Sequence, residues 1–238
     1  IAIRLAAEGS SVVLCARDQQ LLEEAAAGIR TAGGLAETIA LDLRTSDSGQ
    51  RVVDSAMETF GRIDIVVNNA GATTRGEFLD LTDEDFADGF ALKFFGSVRL
   101  TRAAWPHLKA GGGSVVFISG VGGRTPGAQF AIGGSVNAAL LSLTKALAEL
   151  GLRDGVQVNC VNPGTIRTAR YTGRLHALAK ERGLDPEAAE REYVKHAGIA
   201  RIGEPEDIAA LVAFIVGQDG KMLHGALLDM DAGATKTI

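Results

Sequence analysis

The residues best placed to do chemistry in this 238-residue sequence follow its β-branched runs. Asn68-Asn69-Ala70-Gly71 comes directly after Ile63–Val67 (IDIVV). Small residues there let a flat ligand lie against the backbone, and the Asn side chains can tie neighbouring strands together. The same four residues also suit an ordinary Asn-Gly-type turn. Asp42 follows the run Leu35–Leu41, where its carboxylate can accept a bond from the amino group of a heterocycle. Asn162-Pro163-Gly164 follows Val156–Val161, with Thr168 four residues further on, and Arg17 closes the run Ser11–Ala16. The histidines (His107, His176, His196, His224) show no metal-ligand spacing.

These residues need elements to hold them, and the punctuation of the chain supplies them. Ile1–Glu8 reads as a helix tail stopped by Gly9. Asp18 caps a helix to Ala32 that Gly33-Gly34 ends, and a third helix runs from Ser46 or Asp47 to Phe60. Longer helices are expected over Thr82–Ala104 and Ala128–Leu150, and Asp185-Pro186-Glu187 is a helix start in the order cap, proline, acid. Between them stand Ser11–Ala16, Leu35–Leu41, Ile63–Val67, Ser114–Ser119, Val156–Val161 and a last strand near Ala226–Leu228. Strand and helix alternate, and the strands lack polar alternation. Both faces are therefore covered, which predicts an α/β fold: a doubly wound parallel sheet with helices on both faces. Ligands of such sheets bind beyond the carboxyl ends of the strands. No repeat or linker divides the chain, so residues 1–238 are expected to be one domain.

Composition narrows the function classes. The formal net charge is −5, which argues against a nucleic-acid surface. No apolar run reaches the ~18 residues of a membrane span, so no membrane role is expected and the cytoplasm is the expected location. Cys15 and Cys160 sit in apolar runs and read as buried, reduced strand residues. Thirty glycines are far above average usage, consistent with tight turns or backbone close to a ligand.

Asn68–Gly71, Asp42, Asn162-Pro163-Gly164, the Gly203–Asp207 stretch GEPED and Ala226–Gly233 (ALLDMDAG), taken in order, resemble the short-chain dehydrogenase/reductase family over essentially the whole chain. The resemblance implies a Rossmann-type dinucleotide fold opened by a strand and a glycine-rich phosphate-binding loop. Both would precede Ile1, so the sequence is expected to be N-terminally truncated, with the phosphate-binding glycines outside it. It also implies cofactor contacts at Arg17, Asp42 (to the adenine), Asn69, Ala70, Gly71, Asn137, Pro163, Gly164, Ile166 and Thr168. An acid ending the Arg17 strand would favour NAD; a guanidinium there suits a 2′-phosphate, so NADP(H) is favoured over NAD(H), unless Arg17 is simply solvated. Homodimers or homotetramers through the two long helices, and a small-molecule substrate, are implied as well.

The sequence departs from the family at the reacting residues. The family's Tyr and Lys, one turn apart on a helix, fall at Gly133 and Asn137 of the segment Phe130–Leu140 (FAIGGSVNAAL). Its Ser falls at Gly120, and its Asn at Lys93 in Leu92–Gly96 (LKFFG). Gly120 and Gly133 are expected to leave an enlarged cavity. Ser119 faces the other side of its strand unless the strand end twists, Ser135 points away around the helix, and Lys145 lies two turns too far on. Lys93 brings a cation from the opposite wall, and partial desolvation would suit it to proton transfer. Alternatively its stem packs on Phe94 or Phe95 and its amine reaches solvent.

The stretch between Gly164 and Gly203 would cover a substrate. Its first half holds Arg167, Arg170, Arg174, Lys180 and Arg182, which either attract an anionic substrate or form a solvated face. Tyr171, His176 and Tyr193 are its protic groups. Two functions follow: an NADP(H)-dependent oxidoreductase acting on a carbonyl or alcohol with a non-standard proton donor, or a catalytically inactive dinucleotide-binding homologue serving as sensor or partner subunit.

Overall fold

The computed structural model describes residues 1–237. Its strands are β1 (Val12–Ala16), β2 (Ala36–Ala40), β3 (Ile65–Asn68), β4 (Ser114–Ile118), β5 (Gln157–Pro163) and β6 (Leu227–Met230). All neighbouring strands pair parallel. They form a pair β1-β2 and a four-stranded sheet β3-β4-β5-β6. The edges of β1 and β3 do not bond to each other; they bound a cleft of about 1500 Å³ that continues toward the carboxyl ends of β1, β3 and β5.

The burial of β4 shows why the sheet is covered twice. All five of its residues are buried. Val115 and Phe117 pack with Leu108 and Leu140 on one face, while Val116 and Ile118 pack with Ile208, Val212 and Ile215 on the other. Alternation of period two thus sends consecutive side chains into two separate apolar layers. One layer holds α5 (Gly96–Gly111) and α6 (Ala131–Asp154); the other holds α9 (Pro205–Val216). The remaining helices are α1 (Ala2–Ala7), α2 (Gln19–Thr31), α3 (Ser48–Phe60), α4 (Asp83–Gly89), α7 (Ala169–Arg182) and α8 (Pro186–Ala197).

The caps expected at Asp18 and Asp185 form: Asp18 accepts from the Leu21 amide and Asp185 from the Ala188 amide. Thr82 and Asp85, not singled out in the sequence, also cap each other's backbone. Three expectations change. The single helix over Thr82–Ala104 is two α-helices joined by a π-helical stretch, Phe90–Phe95, and it runs on to Gly111. Cys15 is only partly buried and lines the cleft, whereas Cys160 is buried; burial pushes both thiols up to about 11. Residues Ala128–Asp154 are long and apolar enough by composition to cross a membrane, against the reading of the sequence. That apolarity is used inside the fold: Ile132, Val136, Leu140 and Ala148 of α6 are buried.

Candidate active site

The π-helical stretch Phe90–Phe95 sets the position of Lys93. Such stretches add a residue to the helical turn and re-aim side chains, and they cluster at functional sites. Ser97 Oγ donates to the Lys93 carbonyl at 2.7 Å, which helps satisfy the widened turn. The Lys93 stem lies against Gly71, where a Cβ would stand 2.8 Å from Lys93 Cδ. Its ammonium points inward, not to solvent. Nζ donates to the Ser119 carbonyl at 2.8 Å and to Asn137 Oδ1 at 2.7 Å. Burial draws the Lys93 pKa down to about 8, with Arg170 acting in the same direction. An ammonium has three N–H groups, so these two bonds leave one for another acceptor.

Ser119 does not turn toward Lys93 with its hydroxyl: Ser119 Oγ donates to the Asn137 carbonyl at 3.1 Å. Ser135 is exposed, as its place on the helix requires.

The expected enlarged cavity is not there. A Cβ at Gly133 would fall 2.0 Å from Phe130 Cε2 and 2.1 Å from Cζ, so the Phe130 ring fills that space. The same ring stands 2.7 Å from a Cβ at Gly122. At Gly120 the backbone has φ +153, and a Cβ would meet Asn137 Nδ2 at 2.9 Å. Sequence reasoning gave Phe130 no part in the site. Phe130 stands just before the first residue of α6, three positions ahead of Gly133, and that proximity in sequence was the available signal. Arg75, missed altogether, stacks its guanidinium over Phe130 at 4.1 Å from the ring centroid.

The strand-end residues divide into two groups. Arg17, Asn69, Ala70, Pro163, Ile166 and Thr168 line the cleft. Asp42, Gly71, Asn137 and Gly164 do not. Asp42 Oδ1 accepts from the Arg44 amide at 2.9 Å and from Arg44 Nη1 at 3.3 Å, and these bonds hold its carboxyl below the usual range. Gly164 is packed on Asp231, with a Cβ at 2.8 Å from the Asp231 Cα. Asn68 ties its strand to a helix rather than to a strand, through Nδ2 to Thr101 Oγ1 at 2.9 Å. The interstrand tie is made instead by Asn162 Nδ2 to Asp229 Oδ1 at 2.8 Å.

In the covering segment, Tyr171 is buried and bonds Glu190 at 3.2 Å, and Tyr193 Oη lies 2.8 Å from Thr165 Oγ1. His176 is exposed. Arg167 is held by Glu190 and Glu204, and Arg182 by Glu192. Arg170 Nη2 reaches back to the Gly71 carbonyl at 3.4 Å.

Comparison with known proteins agrees with this architecture. Residues 1–235 match the family profile described as Enoyl-(Acyl carrier protein) reductase. An uncharacterized oxidoreductase of Mycobacterium tuberculosis is 36% identical over 237 residues, covering 99% of this chain and 86% of the relative. Human dehydrogenase/reductase SDR family member 4 is 33% identical over 236 residues, covering 98% and 81%. The crystal structure of L-sorbose reductase from Gluconobacter frateurii, complexed with NADPH and L-sorbose, superposes with a TM-score of 0.95 at 30% identity, covering 100% of this chain and 91% of that one. With parallel strands sheathed in helices, polar residues gathered at their carboxyl ends and relatives of this similarity over nearly the whole length, the chain belongs to the short-chain dehydrogenase/reductase family of oxidoreductases.

Proposed function

We propose that this protein reduces a carbonyl compound to an alcohol with NADPH, and that Lys93 is the proton donor. The observation that carries the reading is the Lys93 ammonium, removed from water, held by two acceptors and drawn down to about 8. A general acid works best when its pKa lies near the working pH. Near neutrality Lys93 is mostly protonated and gives up its proton far more readily than an exposed lysine.

The residues at the strand ends fit a dinucleotide. At the carboxyl ends of the strands the cleft is lined by Arg17, Asn69, Ala70, Ile166 and Thr168. These residues would hold the cofactor. Arg17 ends β1 with no carboxylate within 4.0 Å among the described residues, and so is free for a 2′-phosphate, whereas Arg44 is occupied by Asp42 and Asp88. When bound, NADPH supplies the hydride that the carbonyl carbon accepts. Lys93 Nζ passes its proton to the carbonyl oxygen as that oxygen gains the electron pair, and the neutral amine then takes a proton from water. Asn137 Oδ1 and the Ser119 carbonyl hold Nζ in place, which fixes its third N–H without a charged partner. Phe95, just before α5, and Leu152, in the last turn of α6, are exposed apolar residues of the two long helices through which a homodimer or homotetramer contact would run.

A second reading, dinucleotide binding without turnover, draws on Phe130: a ring with no proton to give fills the space at Gly133. Cofactor fluorescence on titration with NADPH and NADH, followed by absorbance across a panel of ketones and aldehydes, separates the two. NADPH oxidation that Lys93→Met abolishes supports reduction. Tight NADPH binding with no turnover on any carbonyl supports the second reading. Activity that survives Lys93→Met removes Lys93 from the role.

A further inference from the structure

We infer that the substrate carries an anionic group, a carboxylate or a phosphate ester, bound by Arg75, Arg174 and Arg170 while its carbonyl lies at Lys93. The inference rests on the reduction reading for the carbonyl end and deepens it by naming the other end of the substrate.

Five basic residues stand in the first half of the covering segment, and the structure sorts the arginines among them. Arg167 and Arg182 are neutralised by glutamates. Arg170 and Arg174 have no carboxylate within 4.0 Å among the described residues, and neither has Arg75 on the facing loop. Arg170 and Arg174 are four residues apart on α7, so they share one helix face. Arg75 comes from a different part of the chain, four residues after Gly71, whose carbonyl Arg170 Nη2 reaches at 3.4 Å. Arg174 and Arg170 both press the Arg75 guanidinium below its ordinary value, after burial, which is the largest cause.

Two contacts fix this cluster to the reacting centre. Arg75 lies on the Phe130 ring, and Phe130 fills the space at Gly133. Arg170 donates to the Gly71 carbonyl, and Gly71 is the residue against which the Lys93 stem packs. The three arginines are exposed, so the cost of bringing them together is modest, and a bound counter-charge would relieve it; no carboxylate of the described residues lies within 4.0 Å to do so. Planar guanidinium forks match carboxylate and phosphate oxygens.

The test uses matched probes on the NADPH-bound protein, read by calorimetry and separately by NADPH absorbance. The carboxylate pair is levulinate against levulinamide; the phosphate pair is dihydroxyacetone phosphate against dihydroxyacetone. The charged member of at least one pair is expected to bind about tenfold or more tightly, a preference lost in Arg75→Ala and Arg174→Ala and reversed in Arg174→Glu. Which pair responds identifies the anion. Equal binding of charged and neutral members, or binding of neither, overturns the inference, as does a preference that both alanine variants retain. Failure here is distinct from failure of the reduction reading. Charged probes that bind without oxidising NADPH leave the anion site standing and remove the chemistry. Neutral probes reduced as well as charged ones do the opposite.

Discussion

Lys93→Met tests the buried cation through stability as well as activity. The Lys93 pKa falls from 10.5 to about 8 on folding, because burial disfavours the ammonium. Between those values the unfolded chain holds the proton that the folded protein has released, so the native state gains stability as pH rises through that window. Integrating the two titrations from about pH 7 to about pH 9.5 gives roughly 2 kcal/mol from this one group. Methionine keeps the length of the stem and removes the charge. The wild type should therefore gain roughly 2 kcal/mol on Lys93→Met over that range, whatever the offset between them at pH 7. Lost bonds to Ser119 and Asn137 enter the offset and not the slope. Urea unfolding of both proteins at several pH values measures it, since other titrating groups cancel in the difference. In the same preparations the reduction rate of the wild type should decline above about pH 8 as the donor loses its proton, and Lys93→Met should be slower by about 10²–10⁴-fold. Parallel stability curves for the two proteins would refute the reasoning, because they would mean that the ammonium is solvated in the folded state.

Further outcomes follow from particular contacts. Gly133→Tyr alone should destabilise by roughly 1–3 kcal/mol, because its Cβ falls on the Phe130 ring, and Phe130→Ala in the same chain should recover part of the loss; thermal unfolding of the single and double variants decides it. Gly120→Ser should cost about 1–2 kcal/mol through its φ of +153, so replacing the four departures from the family pattern without Phe130 should yield a less stable protein. Arg17→Glu should shift the ratio of NADPH to NADH dissociation constants by about tenfold or more toward NADH, read by cofactor fluorescence. Phe117→Ala, with a side chain fully buried between β4 and the helices α5 and α6, should cost about 3–5 kcal/mol in urea unfolding.

Much of the fold was legible because chain punctuation is local. Asp18 and Asp185 mark helix starts by side-chain bonds to the amide three residues on, and Gly61 ends a helix in the left-handed region, whereas the long helix expected to stop at Leu150 runs on to Asp154. The π-helical stretch had no such mark, since one added residue in a turn leaves the apolar spacing of Phe90, Phe94 and Phe95 nearly unchanged. In the site, the importance of Lys93 was readable, and its direction was not. Its partners Ser119 and Asn137 are 26 and 44 residues away and reach it only once β4 and α6 are packed. The reading of an open space at Gly133 failed for the converse reason. A missing side chain was counted, but the neighbour that closes the gap was not. The basic run of the covering segment likewise could not be sorted without knowing that Glu190, Glu192 and Glu204 fold back onto it.

The bond between Lys93 and Asn137 bears on the order in which such a site can be altered. Relative to the family pattern, the amide and the amine have traded ends: position 93 carries the lysine and position 137 the asparagine, and the two side chains meet at 2.7 Å. Changing Asn137 to lysine first would force two ammonium groups together out of water. Changing Lys93 to asparagine first would leave two amides and no cation. Each single step is worse than both ends of the path, so the effects of the two substitutions cannot be added. The site behaves as one unit with two stable spellings, and any route between them must cross a valley or change both positions at once.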